Sequence, residues 1–208
     1  MPFVKRDVPA RSSTDPPPDD SVASHIAALS RPDPEARWSA ARAVGGRADA
    51  IPALAAALEA EQVPRVREAI ITALVRTGGE GSVRALLPWL RSQDAGRRAA
   101  AVEALQSLPN AILPFMVSLL GDADSDVRIM AAELARNMPA ADASRVLCAL
   151  LEREQHANVC AAAIEVLAEV GTRDAVPTLA ACAERFAGTP FLPFAAATAI
   201  ARISDAEG

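Results

Sequence analysis

The feature that most constrains this chain is a repeat of about thirty residues. An arginine stands near the start of four Ala-rich segments, at Arg37, Arg67, Arg98 and Arg128, spaced 30, 31 and 30 residues apart. An aspartate precedes three of them by four residues, at Asp33, Asp94 and Asp124. A unit of this length is one supersecondary element that cannot bury its apolar face alone, so successive units must stack. In such an array, function lies on extended surfaces rather than in one catalytic cleft.

The units read as helical. Apolar residues recur three, four and seven positions after each arginine, as in Ile70, Ile71 and Leu74, or Ala101, Val102 and Leu105. That spacing is one helix face. The chain is 51% hydrophobic but only 3% aromatic and has no Tyr. Ala and Leu therefore supply the apolar surface, which suits closely approaching helices and not strands. Gly or Pro falls at nearly every joint. Six helical pairs are expected: 21–29 with 35–44, 50–60 with 64–77, 82–91 with 95–107, 111–120 with 124–137, 142–153 with 157–170, and 174–186 with 190–203. Gly78-Gly79-Glu80-Gly81 is expected to be a helix-to-helix loop, with no following Lys to make it a phosphate loop. Residues 1–20, with Pro16-Pro17-Pro18 and Asp19-Asp20, are expected to be a disordered tail ahead of a solenoid over 21–203.

The first helices of the pairs carry IPALAAAL (51–58), ILPFMVSLL (112–120) and VPTLAACA (176–183). The second helices carry VREAIITALVRTGG (66–79), GRRAAAVEALQSLPN (96–110) and DVRIMAAELARNM (126–138). These segments resemble the HEAT repeat, in the short bacterial form also seen in phycobilisome bilin-lyase subunits. The resemblance covers about 21–203 and implies an all-α, right-handed α-solenoid of about six helical pairs. It also implies a scaffold or adaptor that binds another protein, with an accessory subunit of a protein-modifying enzyme, bilin-lyase-like, as the alternative. Deoxyhypusine hydroxylases use similar repeats with His-Glu iron pairs. Here Ile26 follows His25 and Ala157 follows His156, so that activity does not carry over.

Charge and cysteine content narrow the class. A net charge of −5 argues against a general binder of nucleic acid or anionic membrane, and leaves DNA binding the weaker alternative. No apolar run reaches the roughly 18 residues of a membrane span. The segment Met1–Arg11 lacks a secretory core, and three Cys, an odd number, fit a reducing cytoplasm. His156 and Cys160 are four apart, but no second pair completes a metal site, and no Ser-His-Asp order or nucleophile elbow occurs. No cofactor and no catalytic residue are expected.

Two kinds of surface stand out. The arginine column lies inside the apolar arc of its helices. Arg37, Arg67, Arg98 and Arg128 are therefore expected to sit between units, paired with Asp33, Asp94 and Asp124 and with carbonyls at the neighbouring helix end. An anion-binding ladder is the functional alternative. In the fifth unit Cys160 replaces the arginine and in the sixth Phe194 does. The opposite face of the second helices turns from Arg42, Thr72 and Arg76 to Glu103, Glu133, Asn137, Glu165 and Glu169, which suggests a groove whose C-terminal half takes a basic segment. Trp38, beside Arg37, is an interface candidate, whereas Trp89 is expected in the core. The last helix, with Phe191, Phe194 and Ile200, carries Arg202 as its one charge over 190–203 and is expected to be apolar all round, hence a surface for self-association or partner binding.

Overall fold

The computed structural model describes residues 21–205, and every regular element among them is helical. The expected tail, residues 1–20, lies outside the described residues. The first pair is α1 (Val22–Ala28) and α2 (Pro34–Val44), and the second is α3 (Ile51–Ala60) and α4 (Pro64–Thr77). In the third, α5 (Gly79–Leu86) runs through a 3-10 turn, Leu87–Arg91, to α6 (Ala95–Gln106). The fourth comprises α7 (Pro109–Ile112), a 3-10 turn at Leu113–Phe115, α8 (Met116–Leu119) and α9 (Ser125–Leu134). The fifth is α10 (Ala140–Leu151) and α11 (Ala157–Val170), and the sixth α12 (Val176–Arg185) and α13 (Phe191–Asp205). The second helices stack in register, α2 on α4, α4 on α6, α6 on α9, α9 on α11 and α11 on α13. They form a B layer, and α1, α3, α5, α7–α8, α10 and α12 form the A layer.

The core is one continuous apolar cluster from Leu29 to Ile203 between the layers. Leu54, Leu58, Ile70, Leu74, Leu105, Ile112 and Leu134 are fully enclosed, each worth about 1.5–3 kcal/mol of transfer free energy. Ala41, Ala101, Ala131 and Ala163 stand where adjacent B helices touch, and their small side chains let the backbones approach.

Three helix-level expectations need correction. The segment 111–120 is broken rather than continuous, because Pro114 lacks an N–H and its ring crowds the preceding turn. The Gly78–Gly81 segment is not all loop. Gly78 and Gly79 take φ of 69° and 71°, a reversal open to residues without Cβ, and α5 begins at Gly79. Finally, α13 is buried on one side only. Leu192, Ala196, Ala199 and Ile203 face the core and Ile200 packs half-buried against it, while Ala197, Ala201, Arg202 and Ser204 face outward.

Candidate functional site: the arginine column and the B-helix face

Each aspartate ahead of the column is consumed by its own helix. Asp33 accepts from the N–H groups of Glu35 and Ala36 (3.2 and 3.1 Å), Asp94 from Gly96 and Arg97 (2.7 and 3.3 Å), and Asp124 from Asp126 (2.9 Å). They are N-caps, with lone pairs committed to the orphan donors of the first turn, so the expected pairing with the arginines does not form. The acid that meets the arginine comes from the next unit. Arg37 donates through Nε and Nη2 to both carboxylate oxygens of Glu61 (2.7 and 2.9 Å), and through Nη1 to the carbonyls of Arg31 and Pro32 (both 2.9 Å). Arg128 repeats this on Glu154 (2.7 and 3.2 Å) and on the carbonyls of Asp122 and Ala123 (2.8 and 3.2 Å). Arg37 and Arg128 thus also hold carbonyls of the loop ahead of their own helix. The Glu61 and Glu154 side chains are 3% and 8% exposed, so these are enclosed bidentate pairs. The pairing raises the pKa of both guanidinium groups. Bonding to Arg37 holds the Glu61 carboxyl below its usual range. At Glu154 burial pushes upward, and the bonds from Arg128 and the His156 N–H outweigh it.

The acids occupy one register position, six residues before the next column member. Its backbone role is constant: Glu61 accepts from Val63 N–H (2.8 Å), Ser92 from Asp94 (3.2 Å), Asp122 from Asp124 (3.0 Å) and Glu154 from His156 (2.8 Å). Its side chain decides what the preceding arginine finds. Asp122 is one methylene shorter than Glu and pairs with Arg91, leaving Arg98 on the Ser92 carbonyl (2.7 Å). At Ser92 there is no carboxylate, and the Arg67 guanidinium makes no hydrogen bond or ion pair among the described residues, its backbone N–H alone donating to the Val63 carbonyl (3.0 Å).

The loss of the arginine at Cys160 is compensated from the opposite side. Arg185, on the next A helix, reaches back to the carbonyls of Leu151, Glu152 (3.4 Å) and Glu154 (3.2 Å). This is the same loop that column arginines hold elsewhere. The buried Cys160 thiol donates to the Glu154 carbonyl (3.8 Å), and Arg185 also reaches Cys182 Sγ (3.8 Å). The neighbouring Cys160 thiol draws the Cys182 thiol down, against burial and with help from Arg185, while Cys160 itself moves up. No group of three or more His, Cys, Asp or Glu among the described residues is placed to hold a metal ion.

The exposed side of the B layer changes character along the stack. Trp38 is half-buried against the core between two guanidinium groups, Arg42 and Arg65, at 4.5 and 4.3 Å from its ring centre. Arg65 also pairs with Glu35 (2.9 Å). These side chains fill the furrow between α2 and α4. The next furrow is open: a cavity of about 580 Å³ lies between α4 and α6. Arg67, Arg76, Arg97, Glu68 and Glu103 border it over a floor that includes Ile71, Val75 and Trp89. Trp89 is buried, as expected, with Nε1 donating to Glu59 (3.0 Å) and Arg97 above its ring at 5.2 Å. Gly96 explains the opening. It stands two residues before Arg98, where Arg65 stands before Arg67, and puts no side chain into the furrow.

The acidic stripe is partly paired. Arg136, which the periodicity did not single out, lies among Glu133 (2.9 Å), Glu165 (4.0 Å) and Glu169. Bonding to Arg136 holds the Glu169 carboxyl low, and the pKa of Arg136 is raised, chiefly by Glu169. Asn137 donates to the Gln106 carbonyl (3.2 Å), and Gln106 to the Glu133 carbonyl (3.0 Å), so this half of the face is cross-linked internally. At the C-terminal end Phe194 and Phe191 are 75% and 49% exposed, and Ile200 is half-buried.

Residues 22–106, which span α1 to α6, match the HEAT repeats family. A stretch of 74 residues is 43% identical to the bilin biosynthesis protein PecE of Nostoc sp., covering 35% of this chain and 29% of that relative. The archaeal HEAT-like repeats protein of Thermococcus onnurineus superposes with a TM-score of 0.51 at 15% identity, over 88% of this chain and 87% of that one. The CpcE–CpcF complex of phycocyanin lyase from Nostoc sp. aligns over 90% of this chain and 76% of that one, with a TM-score of 0.46 and 22% identity. HEAT repeats are thus matched over α1 to α6, and the same helical-pair architecture continues through α13.

Proposed function

We propose that the chain is a non-catalytic protein-binding scaffold or adaptor that receives its partner along the B-helix face. The open furrow between α4 and α6 carries this reading. A concave, mostly apolar floor with a few charged groups at its rim is the usual form of a recognition surface. Arg136 offsets one of the three charges of Glu133, Glu165 and Glu169, which weakens the pull of the C-terminal half on a basic segment. The test is capture from the native cell on immobilised full chain and on an Arg42→Glu, Arg76→Glu variant, both sites being exposed. Proteins held by the wild type should be lost from the variant. The same proteins on both would overturn the assignment of this face.

A second reading, accessory subunit of a bilin-related enzyme, is favoured by the 43% identity to PecE. It predicts that a phycobiliprotein or a bilin-bearing complex is among the captured species, seen as visible absorbance in the eluate. The exposed pair Phe191 and Phe194 supports a separate self-association surface at the C-terminal end.

A further inference from the structure

At Arg37 and Arg128 the column guanidinium is closed off by a glutamate from the following unit. At Arg67 the equivalent position is Ser92, whose hydroxyl is occupied by the Asp94 N–H. Arg67 is half-buried in the wall of the α4–α6 furrow, and its polar edge meets no acid among the described residues. Just beyond it lies a partly exposed apolar floor of Ile71, Val75 and Ala100, beside Gly96, which adds no side chain.

Resting on the scaffold reading above, we infer that this furrow recognises an acidic side chain of a partner peptide. Its carboxylate takes at Arg67 the place that Glu61 and Glu154 hold at Arg37 and Arg128, and an aliphatic neighbour lies on the floor. A carboxylate matches the fork of a guanidinium bidentately. Glu68, Asp94 and Glu103 line the furrow beside Arg67, Arg76 and Arg97, so it carries no net charge, and the Asp94 carboxylate is taken by the Gly96 and Arg97 N–H groups. The furrow therefore favours one carboxylate placed at Arg67 over a polyanion such as nucleic acid.

The probes are acetyl-Leu-Glu-Leu-amide and its Gln counterpart, titrated into isotope-labelled full-length protein by NMR. The Glu peptide should move amides of α4 and α6 in a saturable way and bind about fivefold tighter than the Gln peptide, the effect of one partly exposed charge-assisted contact. Arg67→Gln should abolish the discrimination. Ser92→Glu, which supplies the missing acid within the chain, should abolish it too and raise the thermal midpoint, whereas Ser92→Gln should leave it in place. Equal or undetectable binding of the two peptides to the wild type would overturn the inference. So would discrimination that survives in Arg67→Gln with an unchanged circular dichroism spectrum. Loss of discrimination alongside intact, Arg42- and Arg76-dependent partner capture would remove this inference and leave the scaffold reading standing.

Discussion

Replacing Arg128 by Ala removes the guanidinium that ties α9 to the α10–α11 loop of the fifth unit. It strands a Glu154 carboxylate that is 8% exposed, together with the carbonyls of Asp122 and Ala123. Glu154 keeps the N–H groups of Gln155 and His156 (3.0 and 2.8 Å), and water can reach its edge. The loss therefore falls below the roughly 3–5 kcal/mol of a fully stranded buried charge and nearer the 1–3 kcal/mol of an unsatisfied buried group. We expect about 2 kcal/mol, or about 4–8 °C in the thermal midpoint for a chain of this size. Arg67→Ala supplies the control, since it removes the same side chain from the same register where no acid is stranded. It should cost about 0.5 kcal/mol or less. Urea denaturation of both variants and of Glu154→Ala, combined with Arg128→Ala in a double-mutant cycle, measures the coupling. Equal losses at Arg67 and Arg128 would refute the reasoning. The column would then stabilise through its aliphatic stems and not through the inter-unit glutamates.

Other consequences follow from the same contacts. Glu61 and Glu154 are held below the ordinary carboxylate value of about 4.3, so the folded state binds fewer protons than the unfolded one. Their contribution should be complete above about pH 4.5 and fade as pH falls through the folded values. Glu154→Gln should flatten that decline in a series of urea midpoints. Gly171→Ala should destabilise by about 1–3 kcal/mol, because a Cβ there collides with the Leu167 carbonyl and lies 3.0 Å from Ile203 Cδ1. A melting curve that does not move would mean α11 and α13 yield at that point. Arg136→Ala should leave Glu133, Glu165 and Glu169 in mutual repulsion, so its stability deficit should shrink as salt is raised. Phe191→Ser with Phe194→Ser should lower the mass found by light scattering at high concentration, and an unchanged mass would leave that end without a role in association.

The fold was legible because its determinants are local and repeated. The apolar spacing, the Asp caps and the Gly and Pro breaks recur every unit, and the pairs begin and end within a few residues of where those signals put them. Exceptions such as the broken α7–α8 segment come from a proline read as part of a helix pattern. The site was less legible, because its chemistry joins residues 24–26 apart. Asp33 and Asp124 look like helical i,i+4 partners of Arg37 and Arg128, but a residue at an N-cap spends its oxygens on its own helix. One available signal was the register of Glu61, Asp122 and Glu154, each six residues before the next column position. That register also exposes Ser92 as the exception. The swap at Cys160 was not legible, since Arg185 lies in the next A helix and shows no periodic relation to the column.

The most direct test of the central claim is hydrogen exchange on the full chain, free and bound to the partner that it captures. Protection gained at residues 64–77 and 95–106, on the α4 and α6 walls of the furrow, is the predicted result. Protection confined to the A layer, with α4 and α6 exchanging as in the free protein, would contradict it.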